Sequence, residues 1–441
     1  MFAGSRTMLL ALVLFAWGLA PLKAHGADLW SVYQVALEHD AELRAAEADF
    51  RAALEARPQA RSVLLPQLEA GASQSHTRTE PSGLPNDSFD TTRLELTLNQ
   101  TVYDHRNYVA LRQADLGIAQ ATAVRDSARQ ELIVRVAEAY FGVLAAQDNL
   151  SFAQAEKEAI GRQLEQSERR FEVGLIAITD VKESQAQFDI AVAQEIAAMN
   201  QLDVAREQLA VVTGQYYEAL SGLRDTIPLT TPEPEDMDQW VATAVDSNLA
   251  LTAQRFATEF AAEEIKRQRA GHYPTVGLQA SYADVDTHGA TGVNPQFQDR
   301  RESQIALQLR IPLYTGGRTT SLTRESRERF DGAREQLDLT QRRTVQQTRS
   351  AYLSVVSGAS QVRALNRALE STQAAAEAAE AGFEVGTRTA VDVLLALREV
   401  FRAQRDFAQA RYDFVLNTLR LKQAAGTLDE QDLRAVNAWL Q

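Results

Sequence analysis

A mixed helix and strand chain built as two internal repeats is what the sequence predicts, and three observations carry that reading. The segment FEVGLIAITDV, from Phe171 to Val181, returns as FEVGTRTAVDV, from Phe383 to Val393, 212 residues later in a chain of 441. Two stretches alternate apolar and polar residues with a period of two, one in each half, and a weaker strand precedes each. After each pair runs a proline-free segment rich in Ala, Glu, Gln, Arg and Leu, far longer than an ordinary helix.

Taken in order, the chain starts with Arg6, an apolar run from Met8 to Ala20, and small residues at Ala24, Gly26 and Ala27. This is the pattern of a secretory signal over residues 1–27, with cleavage expected after Ala27 and Ala24 as second choice. The run spans about 12 residues against the roughly 20 that a spanning helix needs. Residues 28–230 then read as the first repeat: a short helix, a strand hairpin over about 65–103, and long helices over about 106–213. Residues 231–441 repeat the order, with the hairpin over about 273–314 and the helices over about 319–425.

The strands are clearest from Ile305 to Tyr314. There Ile305, Leu307, Leu309, Ile311 and Leu313 fall on one side and Ala306, Gln308, Arg310, Pro312 and Tyr314 on the other. About ten residues of such alternation match a tilted transmembrane strand. In the first half, Leu94 to Tyr103 sets Leu94, Leu96 and Leu98 opposite Glu95, Thr97 and Asn99. Weaker strands are expected over Leu68–Gln74 and Val276–Tyr282, and external loops over Pro81–Asp90 and Asp284–Arg300. Alternation alone suits half of a soluble sheet as well. Four strands, however, are too few to close a barrel, so in a membrane several chains must pool theirs. Tyr103, Tyr273, Tyr282 and Tyr314 near the strand ends suit an interfacial girdle.

The long segments, Arg106 to Phe171 and Thr319 to Phe383, predict helices on the order of 100 Å. Their returning partners carry heptads: Val393, Val400, Phe407, Phe414 and Leu421, with Leu394, Phe401, Ala408 and Val415 beside them. The first-half row runs Val181, Phe188, Glu195, Leu202 and Leu209, broken by one charge. Gly174 and Gly386 fall where a long helix must stop, since glycine reaches the left-handed conformation that closes one. Thr389 and Asp392 are spaced as an N-cap and an N3 acid that start the next helix.

Composition excludes several classes. A net charge of −14 argues against a nucleic-acid surface, and the absence of cysteine removes disulfides, thiol nucleophiles and lipid attachment through an N-terminal cysteine. The six histidines are dispersed, and neither an HExxH nor a phosphate-binding glycine loop is present. No catalytic, metal or cofactor site is therefore expected. The competing class is a periplasmic coiled-coil adaptor or structural protein without a membrane pore, which has no use for paired ten-residue strands.

The order of short helix, hairpin, long helix, FEVG turn and returning helix, given twice, resembles the TolC family of outer-membrane channel proteins across the mature chain. VGLIAITDV, VGTRTAVDVL and LKQAAGTLDEQDL, the last from Leu421 to Leu433, carry the resemblance. It implies a homotrimer with four strands per protomer in a shared twelve-stranded barrel, continued by a coiled-coil tunnel through the periplasm of a Gram-negative bacterium. It also implies docking to a periplasmic adaptor and an inner-membrane RND or ABC transporter, for export of drugs or proteins. The two turns become the periplasmic tip. Thr179, Asp180 and Arg388 are the implied latch, with Phe383 where the family often has a tyrosine, and Asp392 the implied acidic constriction ring. Leu395 stands where a second acid is common, which implies weaker cation block. Three carboxylates around one axis are expected to raise one another's proton affinity.

Overall fold

The computed structural model describes residues 26–80, 87–289 and 299–441. Most of the secretory-signal reading, the start of the first loop reading (81–86) and the middle of the second (290–298) lie outside these residues. The chain begins with α1 (Leu29–His39), α2 (Ala41–Leu54) and α3 (Ala56–Ser62), followed by β1 (Gln67–Thr79) and β2 (Asp87–Tyr103). Then come α4 (His105–Glu172) and α5 (Ile178–Thr213). The second half repeats this with α6 (Met237–Ser247), α7 (Leu249–Arg269), a 3-10 turn, β3 (Thr275–His288), β4 (Arg300–Arg310), α8 (Arg318–Glu384) and α9 (Ala390–Ala425), closed by α10 (Glu430–Asn437). The halves match in length as well as order, since α4 and α8 have 68 and 67 residues and α5 and α9 have 36 each.

Several boundaries differ from those read in the sequence. More than one helix precedes each hairpin, because Asp40 and Asn248 each cap a second helix directly after the first. The strand expected over Ile305–Tyr314 instead runs Arg300–Arg310; Pro312 has no N–H for the ladder, and Gly316 and Gly317 at φ 62° and 82° turn the chain into α8. β1, β2 and β3 reach farther outward than read, to Thr79, Asp87 and His288, and β2 and β3 so take up residues assigned to the loops. Cross-strand pairing holds those polar stretches extended, a constraint that alternation within one strand does not reveal.

The four strands form one antiparallel sheet in the order β1-β2-β3-β4, leaving β1 and β4 as open edges. The register sets Leu68 opposite Leu98, Leu98 opposite Ala280, and Ala280 opposite Ile305, so the apolar residues share one face. That face is uncovered in the single chain: Ile305, Leu307 and Leu309 are 79, 71 and 61% exposed. Tyr103, Tyr273 and Tyr314 sit at the helix-side end of the strands, whereas Tyr282 is mid-strand, opposite Leu96 and Ser303. No described helix is long and apolar enough to cross a membrane.

The main core lies where α1, α4, α5, α9 and α10 meet, around Tyr33, Leu132, Tyr140, Phe141, Leu419 and Leu433. Tyr140 satisfies its buried hydroxyl by donating to the carbonyls of Ala27 (3.0 Å) and Ser221 (2.7 Å), which ties the N-terminal segment to the chain after α5. A second cluster joins Trp240, Val355, Val362, Phe414 and Leu421 of the other half. The heptad break at Glu195 is an ion pair in the structure, with Lys157 Nζ 2.5 Å away on α4.

Candidate functional site: the helical tip

Both long helices end on glycine. Gly174 has φ 76°, and its N–H reaches the carbonyl of Phe171 at 2.8 Å while Leu175 N–H reaches Arg170 at 2.9 Å. Gly386 has φ 77°, and there Thr387 N–H bonds the carbonyl of Gly382 at 2.8 Å. Left-handed backbone at these points lets the last helical carbonyls be satisfied while the chain reverses into α5 or α9. The second turn is the better capped. Thr389 Oγ1 accepts from Asp392 N–H at 3.2 Å, and Asp392 Oδ2 accepts from Thr389 N–H at 2.9 Å. α5 starts on Ala177, which has no side chain to cap it.

The structure places Thr179 and Asp180 on the first turn of α5, and Arg388 on the exposed loop before α9. Thr179 Oγ1 contacts Asp180 Oδ1 at 3.5 Å. Among the described residues no hydrogen bond or ion pair joins Arg388 to either of them within one chain; its charge acts instead on Asp392. The Asp392 carboxyl is held below its usual 3.8 by the backbone N–H of Thr389 first, then by the Thr389 hydroxyl, with Arg388 adding to both. Within one protomer the carboxylate is thus drawn opposite to the upward shift expected from three converging acids. Leu395 lies exposed one turn on.

Phe383 is buried with Ala390 and Val393, and the Arg170 guanidinium lies 4.0 Å from the centre of its ring. Arg170 Nη1 also donates to the Phe383 carbonyl at 3.4 Å. One arginine from the first coil thereby grips the second by a cation–π contact. Farther from the tip, Leu394 of α9 packs with Ile160, Phe188 and Ala191 of the first coil, and Ser167 and Ser184 pair at 3.3 Å where α4 meets α5. Sequence reading passed over Arg170, although it directly precedes the repeated motif and has Gly382 as its counterpart in the other half. That asymmetry was the available signal. The turns also hold out apolar side chains, with Leu175 and Val385 72 and 75% exposed, and Val173 and Ile178 beside them.

The sequence matches the model of the family described as "Outer membrane efflux protein" twice, over residues 32–215 and 240–427. The chain belongs to that family. This outer membrane efflux protein is 39% identical over 414 residues to the outer membrane protein TolC of Vibrio cholerae, covering 94% of each chain. It is 31% identical over 427 residues to the alkaline protease secretion protein AprF of Pseudomonas aeruginosa, covering 94% of this chain and 88% of that one. Its fold is shared with the crystal structure of the outer membrane protein VceC of Vibrio cholerae, with a TM-score of 0.76 at 20% identity over 90% of this chain and 96% of that one.

The efflux protein therefore has the TolC-type fold, four strands per protomer of a homotrimeric twelve-stranded barrel continued by a coiled-coil tunnel. It resides in the outer membrane of a Gram-negative bacterium with its helices in the periplasm, and serves as a channel of the efflux and type I secretion class. The family is one of channels and not of enzymes.

Proposed function

We propose that the trimer docks, through its helical tip, to a periplasmic adaptor and an inner-membrane transporter of the RND or ABC type, and that the tip is the gate such docking opens. The observation that carries this reading is the set of exposed apolar side chains at the turns, Val173, Leu175, Ile178 and Val385, gathered just beyond the packed clusters around Leu394 and Phe383. Docking covers them, and their burial is worth about 1.5–3 kcal/mol for each fully covered side chain. Before docking, Arg388 reaches Thr179 and Asp180 of the neighbouring protomer as a charge-assisted latch, worth about 0.2–1 kcal/mol for an exposed pair. A partner that buries two or three apolar residues supplies enough to open three such pairs. Asp392 contributes one carboxylate per protomer to a ring behind the latch, and no catalytic step is assigned to any residue.

Because the chain has no cysteine, a single cysteine at Leu175 or Val385 reports the contact directly. Photo-cross-linking from either position in whole cells is expected to capture a periplasmic adaptor, and to lose it in Val173→Asp. Cross-links to no periplasmic protein, from a trimer that is correctly assembled, would overturn the reading.

We further propose that signal cleavage follows Ala24 and not Ala27. Ala27 N–H bonds the Ala219 carbonyl at 2.9 Å, and its own carbonyl accepts from Ser221 N–H at 3.1 Å and from Tyr140. Cleavage after Ala27 discards that bridge. The mass of the mature protein distinguishes the two.

A further inference from the structure

On the polar face of the sheet, away from the helices, four charged residues form one connected group. Arg93 forks onto Glu95, with Nε to Oε2 at 3.1 Å and Nη2 to Oε1 at 3.2 Å. Its Nη1 lies 3.5 Å from Glu302 on β4, and Arg300 Nε lies 2.5 Å from the same carboxylate. The strand between them supplies the floor: Ala283 stands opposite both Glu95 and Glu302, and Val285 opposite both Arg93 and Arg300. Ala283 and Val285 are each 2% exposed, roofed by the charged side chains. Two small or branched residues on β3 thus let charges on β2 and β4 meet across an intervening strand.

The register fixes the layering. β2 and β4 both run toward the helices, so Arg93 and Arg300 lie farther out than Glu95 and Glu302, by about 7 Å at 3.4 Å per residue. The opposite face carries Leu94, Leu96, Ile305, Leu307 and Leu309. With the apolar face toward lipid, this group faces the barrel lumen.

We propose that Arg93, Glu95, Arg300 and Glu302 form a two-tier charged collar inside the barrel that discriminates permeants by charge near the external mouth. The inference rests on the closed barrel described above. In the trimer the outer tier holds the arginines of all three protomers and the inner tier the glutamates, so an anion is attracted outside and a cation just inside. Rings of charged side chains set the selectivity of pores in this manner. Pairing of Arg93 with Glu95 and of Arg300 with Glu302 holds the tiers rigid, so that each sign meets its own tier in turn and the preference for one sign sharpens once the opposing tier is removed. On the inner side of the collar Thr97, Asn99, Gln279, Ser281 and Gln304 carry no charge, and Glu69 on β1, opposite Thr97, adds one carboxylate that is the same in every variant below.

Ser281→Cys, the only thiol in the chain, places a reporter on this face just inside the glutamate tier. Trimers in lipid nanodiscs are reacted with methanethiosulfonates of similar size, one bearing a sulfonate and one a trimethylammonium. With Arg93→Gln and Arg300→Gln added, the cationic reagent is expected to gain severalfold over the anionic one. With Glu95→Gln and Glu302→Gln added, the preference is expected to reverse, and both effects shrink in 1 M salt, where screening acts within about 3 Å. Unaltered rate ratios in both variants, with trimers intact on unheated gels, would sink the collar alone. Failure of the thiol to react with either reagent would show that this face is not wetted, and would overturn the barrel orientation with it.

Discussion

Arg170 and Phe383 illustrate how a single side chain alters the account of a site. The family resemblance treats Phe383 as the loss of a hydroxyl, yet the ring is buried and stacked by an arginine that no motif marks. A contact of this kind is worth about 0.5–1 kcal/mol when exposed and more when desolvated, comparable to the latch it accompanies. Phe383→Leu, which keeps an apolar side chain and removes the π face, is expected to raise dye leakage through resting cells, and unchanged permeability would deny the stack a gating role. Asp392 carries the second expectation at this scale. Asp392→Ala is expected to abolish block of the closed channel by multivalent cations in planar bilayers, and persistence of block would remove the ring. Since the folded carboxyl sits below 3.8, its capping contribution is present above that pH and is lost as pH falls through the lowered value.

Among the elements, the turns and the seam between α4 and α7 are where local chemistry decides behaviour. A Cβ added at Gly386 meets nothing within 4 Å, so Gly386→Ala isolates the strain of left-handed backbone, roughly 1–2 kcal/mol. Hydrogen exchange is expected to quicken at the tip of α8 and α9 and to stay unchanged near the barrel; uniform exchange would place the turn's stability elsewhere. At the seam, burial opposes ionisation of Glu264, but hydrogen bonds from Arg267, Gln113 and Gln268 outweigh it and bring its pKa to about 2. A carboxylate depressed in the fold stabilises above its unfolded value and loses that contribution as pH falls through the folded one. Acid is therefore expected to loosen this seam between pH 4.5 and about 2, and Glu264→Gln to flatten that part of the stability profile. The capping box at Thr389 and Asp392 was legible in the sequence because its partners are three residues apart. The contact that joins Glu264 to α4 was not, because Gln113 lies 151 residues away.

At the scale of the whole molecule, the exposed apolar face and two unpaired edges make the single chain an incomplete object. Closing three sheets edge to edge pairs β1 of one protomer with β4 of the next and leaves no strand unpaired in lipid. Leu307→Arg on the outward face is expected to cost about 2–4 kcal/mol if it lies at the bilayer midplane, read as folding into vesicles of defined lipid. Gln308→Arg, one residue on and facing the lumen, is expected to be tolerated. Equal effects at both positions would contradict the assigned faces.

Duplication, helix length, strand alternation and the turn glycines were determined by the sequence itself, because each depends on neighbours within a few residues or on a repeated spacing. Where the strands end, how Glu195 is neutralised, which arginine stacks on Phe383, and that Arg93 meets Glu302 across β3 were decided only by the tertiary structure. Those contacts join residues far apart in the chain, and no local periodicity records which distant partner the fold brings within a few ångströms.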